Sequence, residues 1–354
     1  MKQHVEDVRR ENMNIHGRNA LVLLLAFSVP LMLSGCGSKT APEKKNSIRI
    51  GVSLYRADDT FIGNIRSELE KKAKSYEQET GIKVTLDIQD AKGNQYTQNK
   101  QVERFISLGC DALCVNPVDR TTSSGIIDPA MAADVPVIFF NRQPVEEDMD
   151  RWDRLYYVGA DAKESAVLEA EIVADQYEKD PASLDKNGDG VISYVLLEGE
   201  SNHQDSLIRT EWSVQTLKDR HVPIEKITGG IANWERSQAS ALMEQWLEAY
   251  PDKIELVLSN NDDMALGAID AIDRTGGKKI SVVGIDGTTQ GQDAVRSGKM
   301  LGTVSSDKSG YADAIFTIAA SAGLGEPIPA EIALEDGKYY WSMQKNIIKE
   351  KINP

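Results

Sequence analysis

The sequence predicts an α/β protein built as two doubly wound parallel-sheet lobes. Three features predict it. Short runs that are apolar almost throughout recur after residue 47, as expected of strands covered on both faces. Each is followed by a stretch whose apolar residues return at helical spacing. This strand–helix alternation occurs twice in 354 residues, a length that suits two domains of ordinary size.

The first series opens with the strand Ile48–Leu54. Ile62, Ile65, Leu69, Ala73 and Tyr76 then mark one face of a helix, which Gly81 stops, and Lys83–Ile88 is the next strand. A helix over Tyr96–Leu108 leads to the strand Ala112–Val118, a further helix, and Val135–Phe140. The second series runs from Leu155–Val158 through a helix from Lys163 to Ile192–Leu197. A helix from Asp205 and the strand Ile224–Ile231 follow. Ala239–Tyr250 carries Leu242, Met243, Trp246 and Leu247 on one face; Ile254–Leu258, a helix from Asp263, and Ile280–Ile285 complete the series.

The N-terminus has a different character. Arg9, Arg10 and Arg18 precede the apolar run Ala20–Leu33, which ends in Leu33-Ser34-Gly35-Cys36. A basic flank, a short apolar core and small residues before a cut are the parts of a secretory signal, assigned here to residues 1–35. The Leu-Ser-Gly-Cys end resembles a bacterial lipobox, which implies acylation of Cys36 and a polar, Lys-rich tether over residues 36–46. Acyl chains would hold the protein on the extracytoplasmic membrane face. No later apolar stretch is long enough to span a bilayer. The formal charge of −15 argues against nucleic-acid partners, which need concentrated Lys and Arg. Cys110 and Cys114 flank a helix-to-strand turn; buried thiols are the expectation, since spacing alone does not support a disulfide.

Polar residues stand just past the expected strand ends, where doubly wound sheets bind ligands. Asp58 and Asp59 follow the first strand, Asn141 follows Phe140, and His203 and Asp205 follow Leu197. Asn261 follows Leu258, and Asp286 follows Ile285. One such residue is ordinarily a turn former, but five ends of this kind form a pattern. Carboxylates accept hydroxyl protons, amides donate and accept, and an arginine offers a rigid donor fork, which together suit a sugar. Phe61 and Trp234 are candidates to cover the C–H faces of a pyranose ring. Catalysis finds little support: no nucleophile elbow, phosphate loop or zinc-protease motif is present. His203 with Asp205, or paired Asp59 and Asp286, suit recognition equally well.

The segment Asp185-Lys-Asn187-Gly-Asp189-Gly190-Val-Ile-Ser193 has oxygen ligands at calcium-loop positions one, three, five and nine, and glycine at six. Position twelve is Leu196 where a glutamate is required, so the loop is locally incomplete. Either another segment supplies that carboxylate, or the loop is a solvated acidic turn.

The stretch from Ile48 to about Gly323 resembles the D-galactose/D-glucose-binding proteins of bacterial ABC importers, within the ribose-type periplasmic binding family. The motifs are Gly51-Val-Ser-Leu-Tyr-Arg-Ala-Asp-Asp59-Thr-Phe61, Pro136-Val-Ile-Phe-Phe-Asn141 and Tyr156-Tyr-Val-Gly-Ala-Asp161. His203-Gln-Asp205 with Arg209, Ser259-Asn-Asn261-Asp-Asp-Met264, Gly284-Ile-Asp286 and Gly302-Thr-Val304 follow in order. The resemblance implies that Asp59 receives the 4-hydroxyl of either epimer, and that Phe61 and Trp234 sandwich the ring. His203 would meet the 6-hydroxyl and Asp205 the anomeric one; Asn141, Arg209, Asn261 and Asp286 would take the rest. It also implies structural Ca2+ held by Asp185, Asn187, Asp189, Val191, Ser193 and a distant Glu255. Ser306 stands where the family has asparagine; serine is shorter and has no amide donor, so one sugar contact weakens or passes through water, and Ser193 replaces the family's amide at the ninth calcium position.

The implied architecture is an N-terminal lobe of residues 47–158 and 307–341, and a C-terminal lobe of residues 159–306 and 342–354. A three-segment hinge would join them, with closure on ligand. The implied partners are a monosaccharide and ABC permease subunits, and the expected state is a monomer. Another monosaccharide, or a role in sugar sensing, is the alternative; a repressor of this fold would need a DNA-binding segment where the export signal stands.

Overall fold

The computed structural model describes residues 45–276 and 279–352. The signal segment, Cys36 and nearly all of the tether lie outside the described residues. Among those described, the strands are β1 (Ser47–Leu54), β2 (Lys83–Asp90), β3 (Ala112–Val115), β4 (Val137–Phe140) and β5 (Leu155–Ala160). β6 (Ile192–Glu198), β7 (Ile224–Ile231), β8 (Leu256–Ser259), β9 (Ser281–Asp286) and β10 (Gly302–Ser306) follow, then β11 (Tyr339–Ser342) and β12 (Gln344–Ile348). They form two six-stranded sheets, ordered β11-β5-β4-β3-β1-β2 and β12-β10-β9-β8-β6-β7. All pairings are parallel except that of β12 with β10. The fold class is the one the sequence predicts: two α/β lobes with parallel sheets.

The central strands are apolar because both faces of each sheet are covered. Ile50, Val52 and Leu54 of β1 pack with Ile62, Ile65 and Leu69 on one face, while Val102, Phe105, Leu113 and Phe139 fill the other. The second sheet repeats the plan, with Val195, Leu197 and Val257 on one side and Leu196, Leu258 and Val304 on the other. Two strands are shorter than their apolar runs. β3 stops at Val115, just before Asn116-Pro117, and β4 begins only after Pro136, because proline has no N–H to give a parallel ladder. Cys110 and Cys114 are free and buried; burial raises the Cys110 thiol to about 11 and Cys114 further still.

The chain crosses between sheets three times. β5 leads into the helix Ala162–Lys179, which packs on the second sheet, and β10 leads into Lys308–Leu324, which packs on the first. β11 and β12 are separated by Met343 alone. In both sheets the strand order reverses between neighbours, at β1/β3 and at β6/β8, and in such sheets the crevice outside the carboxyl ends is the binding place. No described helix is long and apolar enough to cross a membrane.

Glu169, on the helix Ala162–Lys179, is wholly buried, and burial pushes its carboxyl up from 4.5 to about 8. The Ser259 N–H and Arg209 oppose that rise only in part. A raised carboxyl pKa makes the folded state bind protons more tightly than the unfolded chain. Stability therefore falls as pH rises from the ordinary value through about 8. Glu169→Gln removes this loss. Melting curves should coincide with wild type near pH 4.5 and show the variant more stable above pH 8, with the gap opening between.

Candidate functional site

The candidate residues stand at strand ends because parallel strands leave their last residue pointing into a helix start. Asp59 is the N-cap of the helix Thr60–Thr80, its Oδ1 accepting from Ile62 N at 2.9 Å. Asn261 caps Asp262–Arg274 by accepting from Met264 N at 2.9 Å. His203 caps Gln204–Asp219, its Nδ1 accepting from Asp205 N at 3.1 Å. Capping and ligand contact thus fall to the same side chains.

All ten candidate ligand residues line one cleft: Asp59, Phe61, Asn141, His203, Asp205, Arg209, Trp234, Asn261, Asp286 and Ser306. Tyr55, Ile62, Ala160 and Tyr311 line it as well. Tyr55 lies inside a motif singled out from sequence, but nothing marked its side chain for the site. Tyr311 gave no signal, because it sits one turn inside an otherwise apolar helix.

The electrostatics centre on Arg209. It is buried; Nη2 donates to Asp205 Oδ2 at 3.2 Å, Nη1 donates to Asn260 O at 2.9 Å, and Asp286 Oδ1 lies 3.8 Å from Nη1. Burial raises both carboxyls, Asp286 well above the usual range, while Arg209 draws each back. Burial, with Arg142 and Arg209 nearby, holds His203 well below its ordinary value, so the imidazole is neutral. Since Nδ1 accepts, Nε2 carries the proton and donates.

Three of the lining residues hold positive φ: Asn141 at 63°, Trp234 at 67° and Asp286 at 114°. Side-chain-bearing residues adopt such angles at a cost, and strain of this kind gathers at functional sites. Phe61 meets Tyr311 edge-on, centroids 5.9 Å apart, and Trp234 meets His203 edge-on at 5.1 Å. Edge contacts fix each ring without stacking its face. Trp234 packs so closely over Gly199 that a Cβ there would collide with the indole. Trp234 Nε1 and Arg209 Nε are buried without partners, which leaves two donors for a ligand rich in acceptors.

The lobes touch across this cleft. Arg56 pairs with Glu235, Arg142 Nη2 lies 2.8 Å from Glu200 Oε2, and Gln204 Nε2 donates to Asn141 O at 3.1 Å. These contacts hold the two lobes against each other over the cleft.

The calcium-type loop lies apart from the cleft. Glu255 reaches it from the start of β8: Oε1 accepts from Lys186 N at 2.7 Å and Asn187 N at 3.1 Å, Oε2 from Ser193 N at 2.9 Å. Asp185 accepts from Gly188 N and Gly190 N, and Asp189 from Val191 N. Among the described residues no three His, Cys, Asp or Glu side chains are grouped as a metal site. The loop's oxygens nonetheless fit a hard cation in kind, being carboxylate, amide and carbonyl.

A family model described as the periplasmic binding protein domain matches residues 50–327. The chain belongs to the periplasmic binding protein family. It is similar to the D-galactose/methyl-galactoside binding periplasmic protein MglB of Haemophilus influenzae, 32% identical over 94% of this chain and 95% of that one. It is 30% identical to a putative rhizopine-binding protein of Rhizobium meliloti, over 80% of this chain and 87% of the other. Among solved structures, an ABC transporter solute binding protein from Bacillus halodurans with bound myo-inositol matches with a TM-score of 0.72 and 29% identity. That match covers 88% of this chain and 98% of the other. Members of this family bind rather than catalyse, and the protein is not an enzyme.

Proposed function

We propose that the protein captures D-galactose or D-glucose between its lobes, outside the cytoplasm, and delivers it to the permease of an ABC importer. One observation carries the reading. Carboxylates from both lobes, Asp59 on one and Asp205 and Asp286 on the other, share with Arg209 a single cleft lined by Phe61 and Trp234. A hexose supplies the complement: hydroxyls that donate to carboxylates and accept from a guanidinium, and C–H faces that cover rings. The galactoside-binding Haemophilus relative supports a hexose. In this reading Asp59 takes the 4-hydroxyl, His203 the 6-hydroxyl and Asp205 the anomeric hydroxyl. Asn141, Arg209, Asn261 and Asp286 share the others, and Ser306 reaches its hydroxyl through water.

Calorimetric titration with D-galactose, D-glucose, D-ribose and myo-inositol tests it. Wild type should bind a hexose most tightly, and Asp59→Ala should weaken that binding at least about a hundredfold, as loss of a charged hydrogen-bond partner does. Ribose or inositol binding in place of both hexoses would reassign the ligand.

We also propose that the loop Asp185–Ser193 takes a structural Ca2+ with Glu255, through Asp185, Asn187, Asp189, the Val191 carbonyl and Ser193. The docking of Glu255 on the loop supports it. Calcium should raise the melting temperature of wild type but not of Glu255→Gln; identical curves with and without chelator would leave the loop an ordinary turn.

The Leu33–Cys36 motif supports a lipid anchor on Cys36. Cys36→Ala should move the protein from the membrane fraction to the soluble one, and an unchanged distribution would dismiss the anchor.

A further inference from the structure

We infer that Glu200, Arg142 and Tyr55 form a positioning arm that sets the Asp59 carboxylate when the cleft closes. The inference rests on the sugar-receptor reading above. Tyr55, just past β1, is buried, and its hydroxyl donates to Asp59 Oδ2 at 2.5 Å. Burial first, then the Asp59 charge, hold this phenol far above its ordinary pKa, so it remains a donor. With Oδ1 taken by Ile62 N, each Asp59 oxygen has one fixed partner and spare acceptor capacity for a ligand hydroxyl.

Behind Tyr55 stands Arg142. Its guanidinium carbon lies 3.8 Å from the Tyr55 ring centroid, against 5.8 Å for Arg56 on the same ring. Arg142 is 4% exposed. Nη1 donates to Val118 O at 3.0 Å within the first lobe. Nη2 makes no aligned hydrogen bond, and the carboxylate that neutralises it, 2.8 Å away in an ion pair, is that of Glu200, which follows β6 in the second lobe. A buried guanidinium is costly without a counter-charge, and only closure brings Glu200 against it. Closure therefore fixes Arg142, Arg142 clamps the ring of Tyr55, and Tyr55 fixes the plane of Asp59. Glu200 and Arg142 do this without lining the cleft.

The test is a calorimetric double-mutant cycle on the full protein, with wild type, Tyr55→Phe, Glu200→Gln and the double variant titrated with D-galactose and D-glucose. Each single change should weaken binding about tenfold, and the double should stay near tenfold, because both interrupt one chain of contacts. The penalties should also disappear for 4-deoxy-D-galactose, which has no hydroxyl for Asp59 to receive, whereas a general loss of packing would weaken every sugar alike. A double variant about a hundredfold weaker, or a penalty that persists in the deoxy sugar, would overturn the arm. Glu200 is partly exposed at the cleft rim, so Glu200→Gln with the deoxy sugar decides the matter even if Tyr55→Phe misfolds. Wild type that binds neither hexose would sink the sugar-receptor reading and the arm together; binding with independent penalties would sink the arm alone.

Discussion

Arg209 lies between two buried carboxylates, with Asp205 at 3.2 Å and Asp286 at 3.8 Å. Taking three ionisable groups out of water is expensive, and surrounding dipoles offset part of that cost. The Asn260 carbonyl accepts from the guanidinium, and Asp205 sits in the first turn of its helix, where backbone N–H groups favour negative charge. Even so, both carboxyls are pushed upward by burial. The cleft is thus polar, buried and incompletely satisfied, the condition in which a ligand's hydroxyls count most.

The same economy governs the cleft's edges. Asp59, His203 and Asn261 each close a helix start and face the cleft. A side chain engaged by its own helix has lost its rotational freedom before any ligand arrives, so binding does not carry that entropic cost again. The strained backbone at Asn141, Trp234 and Asp286 belongs to the same design, since those angles aim side chains where relaxed strand ends would not.

Much of this was legible in the sequence, for physical reasons. Strands buried on both faces must be apolar, so β1, β4, β6, β8 and β9 announced themselves, and the polar residues after them could be read as strand-end groups. The edge strands β11 and β12 escape that logic, although the edges β2 and β7 were read. β11 and β12 are half-exposed, Tyr339, Tyr340 and Trp341 mixing with polar neighbours, and no apolar run marks them. Tyr55 was hidden by being apolar in most of its atoms. The contacts of Arg142 with Tyr55 and Glu200 join residues distant in sequence and follow no spacing rule. The loop at Asp185 was visible as a pattern, but its dependence on Glu255, 70 positions along the chain, came from resemblance rather than from local chemistry.

Neither lobe is a continuous stretch of chain. The first sheet needs β11, and its outer face needs the helix Lys308–Leu324, both made after every parallel strand of the second sheet. The second sheet in turn takes its edge strand from the last described residues. Neither half can therefore bury its faces completely until β11, the helix Lys308–Leu324 and β12 have been made. Two lobes that each wait on late segments of the same chain reach their final packing together rather than domain by domain.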